Sequence, residues 1–162
     1  YADQDRVCIA GASYGGYATM AGLTFTPDLY RCGINSVGVV NQKMLLENYT
    51  TKSSVFNSWE DEAKLEWGNL SEAEGKKYAE ETSPSLHVKN IKAPVLVLQG
   101  TNDNIVPPEH ARELINKLKQ EGKTYMSMFQ AKEGHCVKCS GELATLEYFN
   151  IQEEFLEKYL EN

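Results

Sequence analysis

Strand-like and helix-like stretches alternate along this chain, and the alternation predicts an α/β protein on a parallel sheet of about four strands. Two further observations point the same way. Residues 93–99 (A-P-V-L-V-L-Q) are almost continuously apolar, as a strand buried on both faces of a parallel sheet should be. Residues 7–17 (V-C-I-A-G-A-S-Y-G-G-Y) run from an apolar stretch into a glycine-flanked serine, G-x-S-x-G, a tight strand-to-helix turn.

The first strand is expected over residues 6–10 and the first helix over 14–23, before Pro27. Gly11, Gly15 and Gly16 would clear side chains from the turn between them. Residues 33–40 (G-I-N-S-V-G-V-V) read as the second strand. The stretch 41–92 is less regular, with short helices expected at 60–67 and 71–80 and a capping box formed by Ser71 and Glu74. Tyr49, Trp59 and Trp67 would pack over the sheet edge. After the strand at 93–99 comes a polar loop, G-T-N-D-N-I-V-P-P, then a helix opened by Pro107 and Pro108 and closed at Gly122. Its apolar face is Ala111, Leu114, Ile115 and Leu118. A fourth strand follows at 125–130, and a last helix at about 141–160, with Leu143, Leu146, Phe149, Leu156 and Leu160 among its apolar positions.

The 162 residues suit one domain, and 41% apolar residues with 10% aromatic is ordinary for a folded one. A net charge of −7 argues against nucleic acid or an anionic membrane as the main partner. No apolar run approaches the roughly 20 residues of a membrane helix. The chain opens on Tyr1-Ala2-Asp3 and meets a strand almost at once, so it is expected to be cut from something longer. The compartment is left open, with the cytoplasm the default. Of the four cysteines, Cys8 and Cys32 read as small buried apolar residues. Cys136 and Cys139 form C-x-x-C directly after His135; a redox pair or metal clip is conceivable, but plain surface-loop cysteines are the expectation and no metal site is assigned.

In open parallel sheets, function gathers at the carboxyl ends of the strands. Ser13, Asp103 and His135 each lie just after a strand, in the chain order Ser–Asp–His of the α/β-hydrolases. Singly, each has another reading: a glycine-rich turn, an aspartate stabilising a loop, a loop histidine. Together they make a catalytic set. A serine hydroxyl needs a base, a histidine supplies one near neutral pH, and an aspartate fixes the imidazole tautomer. His87 and His110 lack this setting, and His110, in the first turn of an amphipathic helix, is expected to be structural.

Three segments carry a more specific resemblance: D-x-D-R-V-C-I-A-G-A-S-Y-G-G-Y from Asp3, S-P-S-L-H-V-K-N-I-K-A-P-V-L-V-L-Q-G-T-N-D-N-I-V-P from Ser83, and E-G-H ending at His135. The chain resembles the carboxyl-terminal catalytic part of prolyl oligopeptidase-family serine peptidases, in the style of the dipeptidyl-peptidase and acylaminoacyl-peptidase branches. The resemblance implies a partial α/β-hydrolase domain over residues 1–162 with Ser13 as nucleophile, Asp103 as acid and His135 as base. It implies an oxyanion hole using the Tyr14 backbone N–H, and an apolar pocket lined by Tyr14, Val40 and Val106 and completed from the segment of Met44, Leu45 and Tyr49. A peptide is the implied substrate, and the chemistry needs no cofactor. The family's amino-terminal β-propeller, earlier strands and second oxyanion donor fall outside this stretch. Alone it is therefore expected to be weakly active or inactive, and to self-associate through the open sheet edge at Val7. A carboxylesterase, a catalytically silent domain, and a thiol or metal protein built on His135-Cys136-Cys139 are the competing readings.

Overall fold

The structure, a computed structural model, describes residues 3–52, 68–139 and 141–160. It comprises β1 (Cys8–Ala12), α1 (Tyr14–Phe25), β2 (Cys32–Ser36), α2 (Gln42–Lys52), α3 (Ala73–Thr82), a 3₁₀ segment (Pro84–Asn90), β3 (Val95–Gly100), α4 (Glu109–Gln120), β4 (Tyr125–Gln130) and α5 (Glu142–Tyr159). The helix expected at 60–67, with Trp59 and Trp67, lies outside the described residues, as does the side chain of Tyr49.

The four strands form one parallel sheet in the order β1-β2-β3-β4, the order of the chain. Because side chains alternate along a strand, β3 serves two cores. Val95 and Val97 face a layer made by α1, the 3₁₀ segment and α4, packing with Met20, Leu23, Val88 and Leu114. Leu96 and Leu98 face the opposite layer, where Phe155 of α5 is fully buried against Ile34 and Cys32. The continuous apolar run of 93–99 follows directly from this two-sided burial.

Several elements differ from their sequence readings. The second strand stops at Ser36, the last residue paired to β3. Val37 then turns the backbone to a positive φ of 45° while its N–H still donates to the Leu98 carbonyl at 2.8 Å, so residues 37–40 form a buried loop. The capping box does not form. Helix α3 begins two residues after Ser71, and Ser71 instead closes a turn on Asn69, donating its N–H at 3.1 Å and its hydroxyl at 2.7 Å to the Asn69 carboxamide oxygen. On α5, Leu143, Leu146 and Phe149 are exposed. The buried face runs through Ala144, Tyr148, Ile151 and Phe155, with Leu156 and Leu160 beside it. A helix has too narrow a contact stripe to bury every apolar residue of that run. The cysteine readings also change: Cys8 and Cys32, register partners across β1 and β2, form a disulfide, and so do Cys136 and Cys139.

Strand β1 pairs only with β2 among the described residues. A groove of about 670 Å³ runs between that open edge and α5, lined by Val7, Ala10, Ile34, Gln152, Leu156 and Leu160. No described helix is long and apolar enough to cross a membrane.

Candidate active site

The carboxyl ends of β1, β3 and β4 converge, and each delivers one side chain. Ser13 sits between β1 and α1 with φ 58° and ψ −122°, a conformation that an L-residue adopts only under strain. The turn is held at its start by the Ser13 N–H donating to the Ser36 carbonyl at 3.0 Å. Close packing permits it. A side chain on Gly11 would run into the backbone of Gly15, and one on Gly16 would come within 2.6 Å of the Gly38 Cα. Gly15 itself faces open space, so the expectation that all three glycines clear a clash holds for Gly11 and Gly16 only.

Asp103 lies on the loop after β3 and its carboxylate is fully buried. Its Oδ1 accepts the backbone N–H groups of Ile105 at 2.9 Å and Val106 at 3.0 Å. Its Oδ2 faces His135 Nδ1 at 2.8 Å and also accepts from Gln99 Nε2 at 3.3 Å. His135, on the loop after β4, places Nε2 at 2.9 Å from Ser13 Oγ. A buried carboxylate oxygen only accepts, so Nδ1 carries the imidazole proton and Nε2 is left to accept from the serine hydroxyl. The three residues singled out in the sequence thus form one unbroken hydrogen-bonded series.

The two loops that carry Asp103 and His135 are stitched together. Thr101 N–H donates to the Gln130 carbonyl at 3.0 Å, Asn102 N–H to the Glu133 carbonyl at 2.8 Å, and Lys132 N–H to Thr101 Oγ1 at 2.9 Å. Gly100 makes the approach possible, since a Cβ there would stand 2.5 Å from the Glu133 carbonyl oxygen. Gln99, which sequence reasoning passed over, anchors the acid from beneath. Its Nε2 also donates to the carbonyls of Gly100 and Val106, both at 3.2 Å, while its Oε1 is buried with no partner among the described residues. The available signal was a lone amide at the end of an otherwise apolar strand.

Of the residues expected to line a substrate pocket, Val40 lies apart from Val106. Val40 is fully buried in the core beside α1 and α4, where its N–H donates to His110 Nδ1 at 3.3 Å. Its neighbour Val39 is the residue that packs with Val106 and Leu45, against Tyr17 and Ile105. The backbone leaves β2 at Val37, and Val39 and Val40 then face different clusters. Tyr14 is half exposed at the start of α1, its ring 5.5 Å from that of Tyr17. His110 is a core histidine, as expected. Burial pushes its pKa down to about 4, against the pull of nearby Glu113, Glu109 and Asp103. No group of three or more metal-ligating side chains occurs among the described residues.

A strained serine between strand and helix, a histidine and a buried aspartate, in that chain order at the ends of parallel strands, define the serine-hydrolase arrangement of the α/β-hydrolase fold. Comparison with known proteins narrows the class. The pattern of the prolyl oligopeptidase family matches residues 1–162, and the chain belongs to that family. It is 36% identical over 132 residues to dipeptidyl aminopeptidase BIII of Pseudoxanthomonas mexicana, covering 82% of this chain and 19% of that protein. It is 28% identical over 137 residues to dipeptidyl peptidase family member 6 of Caenorhabditis elegans, covering 85% of this chain and 18% of that one. The structure of Pyrococcus horikoshii acylaminoacyl peptidase superposes with a TM-score of 0.79 at 26% identity, over 98% of this chain and 25% of that one. The chain therefore spans about a fifth of the length of the curated relatives it matches.

Proposed function

We propose that this chain carries the nucleophile, base and acid of a serine peptidase that cleaves short peptides through an acyl-enzyme on Ser13. The observation that carries the reading is the series Ser13 Oγ, His135 Nε2, His135 Nδ1, Asp103 Oδ2, with links of 2.9 and 2.8 Å. In the reaction, Ser13 Oγ attacks the scissile carbonyl as its proton passes to His135 Nε2. Asp103, buried and held by two backbone donors, stabilises the imidazolium without taking the proton. The charge that develops on the carbonyl oxygen is met by the Tyr14 N–H, which opens α1 ahead of that helix's first internal bond, Tyr17 N–H to the Ser13 carbonyl. His135 then protonates the leaving amine, and a water activated by the same imidazole releases the acyl group. The cluster of Val39, Leu45 and Val106 with the Tyr14 and Tyr17 rings nearby suits a small apolar side chain next to the scissile bond. Relatives named as dipeptidyl and acylaminoacyl peptidases support a short peptide as the substrate class.

The test uses the full-length protein. A fluorophosphonate should label Ser13 and fail to label a Ser13→Ala variant, and chromogenic dipeptide or acyl-amino-acid amides should be turned over. Turnover of esters but not amides would replace peptidase by carboxylesterase. Absence of labelling would leave a catalytically silent domain.

A further inference from the structure

The C-x-x-C that follows His135 has no part in the hydrolytic chemistry, and the relatives' names say nothing of it. Its surroundings separate it from the other disulfide. Cys8 and Cys32 join two paired strands inside the sheet, and Cys32 is fully buried. Cys136 and Cys139 are both exposed, with Cα atoms 5.5 Å apart on the surface of the loop between β4 and α5. The residue before Cys136 is His135, whose ring nitrogens make the two bonds on which Ser13 depends.

Restraints flank this stretch on both sides. Upstream, the loop is fastened to the Asp103 loop through Lys132 and the Glu133 carbonyl. Downstream, the Lys138 carbonyl accepts from Thr145 Oγ1 at 2.9 Å, and the Lys138 ammonium lies 4.9 Å from the Phe149 ring centroid. Between these anchors stand the buried side chain of Val137, a backbone bond from Cys139 N–H to the Cys136 carbonyl at 3.3 Å, and the disulfide that closes the same turn. Of these, the disulfide is the one covalent tie, and it is the one that solvent chemistry can reach.

We infer that Cys136–Cys139 is a thiol–disulfide exchange site for an external dithiol, and that its oxidised form holds His135 in the position that activates Ser13. The step balances as ordinary exchange. A thiolate of the dithiol attacks one exposed sulfur, say that of Cys139, and the Cys136–Cys139 bond breaks with Cys136 leaving as a thiolate. The second thiol of the reductant attacks the mixed disulfide and frees Cys139. The reductant departs as its own disulfide, and the protein has gained two electrons and two protons. Opened, the turn no longer fixes the chain immediately after His135. Misplacement of a catalytic group by about 1 Å can lower a rate roughly 10²-fold, so an imidazole out of place about nine-tenths of the time gives a tenfold loss. The effect on Ser13 rests on the hydrolase reading above; the exchange chemistry does not.

The experiment titrates the full-length protein with dithiothreitol and follows three signals. Iodoacetamide trapping with mass spectrometry reports which cysteines open. Hydrogen–deuterium exchange reports the backbone of residues 131–139. Fluorophosphonate labelling reports Ser13. Cys136 and Cys139 are expected to be alkylated at lower dithiothreitol than Cys8 and Cys32. Exchange at 131–139 should rise with their opening, and Ser13 labelling should fall about tenfold and return on reoxidation. A Cys136→Ser/Cys139→Ser variant should label slowly from the start and not respond to dithiothreitol. Opening of Cys8–Cys32 first, or opening of Cys136–Cys139 with unchanged exchange at 131–139, would overturn the inference. So would unchanged labelling in a protein whose Ser13 is reactive. Failure to label Ser13 in either redox state would count against the hydrolase reading alone, since alkylation and hydrogen exchange still decide the site.

Discussion

Asp103→Asn should abolish most catalysis while leaving the loop folded, and the structure fixes why. The Asp103 Oδ1 accepts from two backbone N–H groups, those of Ile105 and Val106, at 2.9 and 3.0 Å. An asparagine must keep its carbonyl oxygen there, because the reverse orientation would aim an NH₂ group at two donors. Its NH₂ then takes the place of Oδ2, 2.8 Å from His135 Nδ1 and 3.3 Å from Gln99 Nε2. Facing a donor, Nδ1 must become the acceptor, and the imidazole proton moves to Nε2. That nitrogen now presents a proton to Ser13 Oγ in place of a lone pair. Loss of the correct tautomer in a serine triad lowers turnover about 10⁴-fold, equivalent to about 5.5 kcal/mol of transition-state stabilisation. The assay is amide turnover and fluorophosphonate labelling in the full-length protein, with ¹⁵N chemical shifts of the histidine ring to read the tautomer and circular dichroism to verify the fold. Turnover within about tenfold of the native protein, or an imidazole still protonated on Nδ1, would refute this account of how Asp103 works.

Three further outcomes are expected. Gly100→Ala forces a methyl group against the Glu133 carbonyl oxygen, 2.5 Å from where its Cβ must stand. Overpacking of this kind typically costs about 1–3 kcal/mol, and because the strain falls on the His135 loop, labelling of Ser13 should drop by more than the loss of stability explains; chemical denaturation beside labelling kinetics measures both. His110, with its pKa depressed to about 4 by burial, is neutral in the fold but charges near pH 6.5 when unfolded. The unfolded state therefore binds the extra proton between those values, and stability present above pH 6.5 is lost as pH falls toward 4. The loss is about 2 kcal/mol between pH 7 and pH 5, visible as a falling urea midpoint, and His110→Gln, which keeps an acceptor for the Val40 N–H, should flatten it. Finally, the 162-residue chain expressed alone leaves the β1 edge and its apolar groove open and should self-associate; a monodisperse monomer in light scattering would contradict this.

Legibility in the sequence followed the range of the interactions involved. The parallel sheet, the alternation of strands and helices along the chain and the three side chains that meet at the strand ends were readable because each depends on local pattern. An unbroken apolar run marks β3, a glycine-flanked serine marks the turn, and a polar residue just past a strand marks the working end of the sheet. Resemblance to the family added roles to those positions. Where a reading depended on regular structure continuing, it slipped. The second strand was expected to run to Val40, but the chain leaves β2 at Val37 through a positive φ that nothing in G-I-N-S-V-G-V-V announces. Ser71 was taken for a helix cap because S-x-x-E fits the motif, yet the turn on Asn69 competes for the same hydroxyl.

The sequence by itself determined which residue types could do the chemistry and in what order they appear, since nucleophile, base and acid are properties of side chains. Only the tertiary structure decided that they meet. Ser13 and His135 are separated by 122 positions, and their 2.9 Å contact exists because β1 and β4 end on the same side of one parallel sheet. The same is true of the parts that support them. Gly100 against Glu133 and Cys8 opposite Cys32 are pairings across loops or strands distant in the chain. Their partners are chosen by how layers pack, which no local pattern of residues encodes.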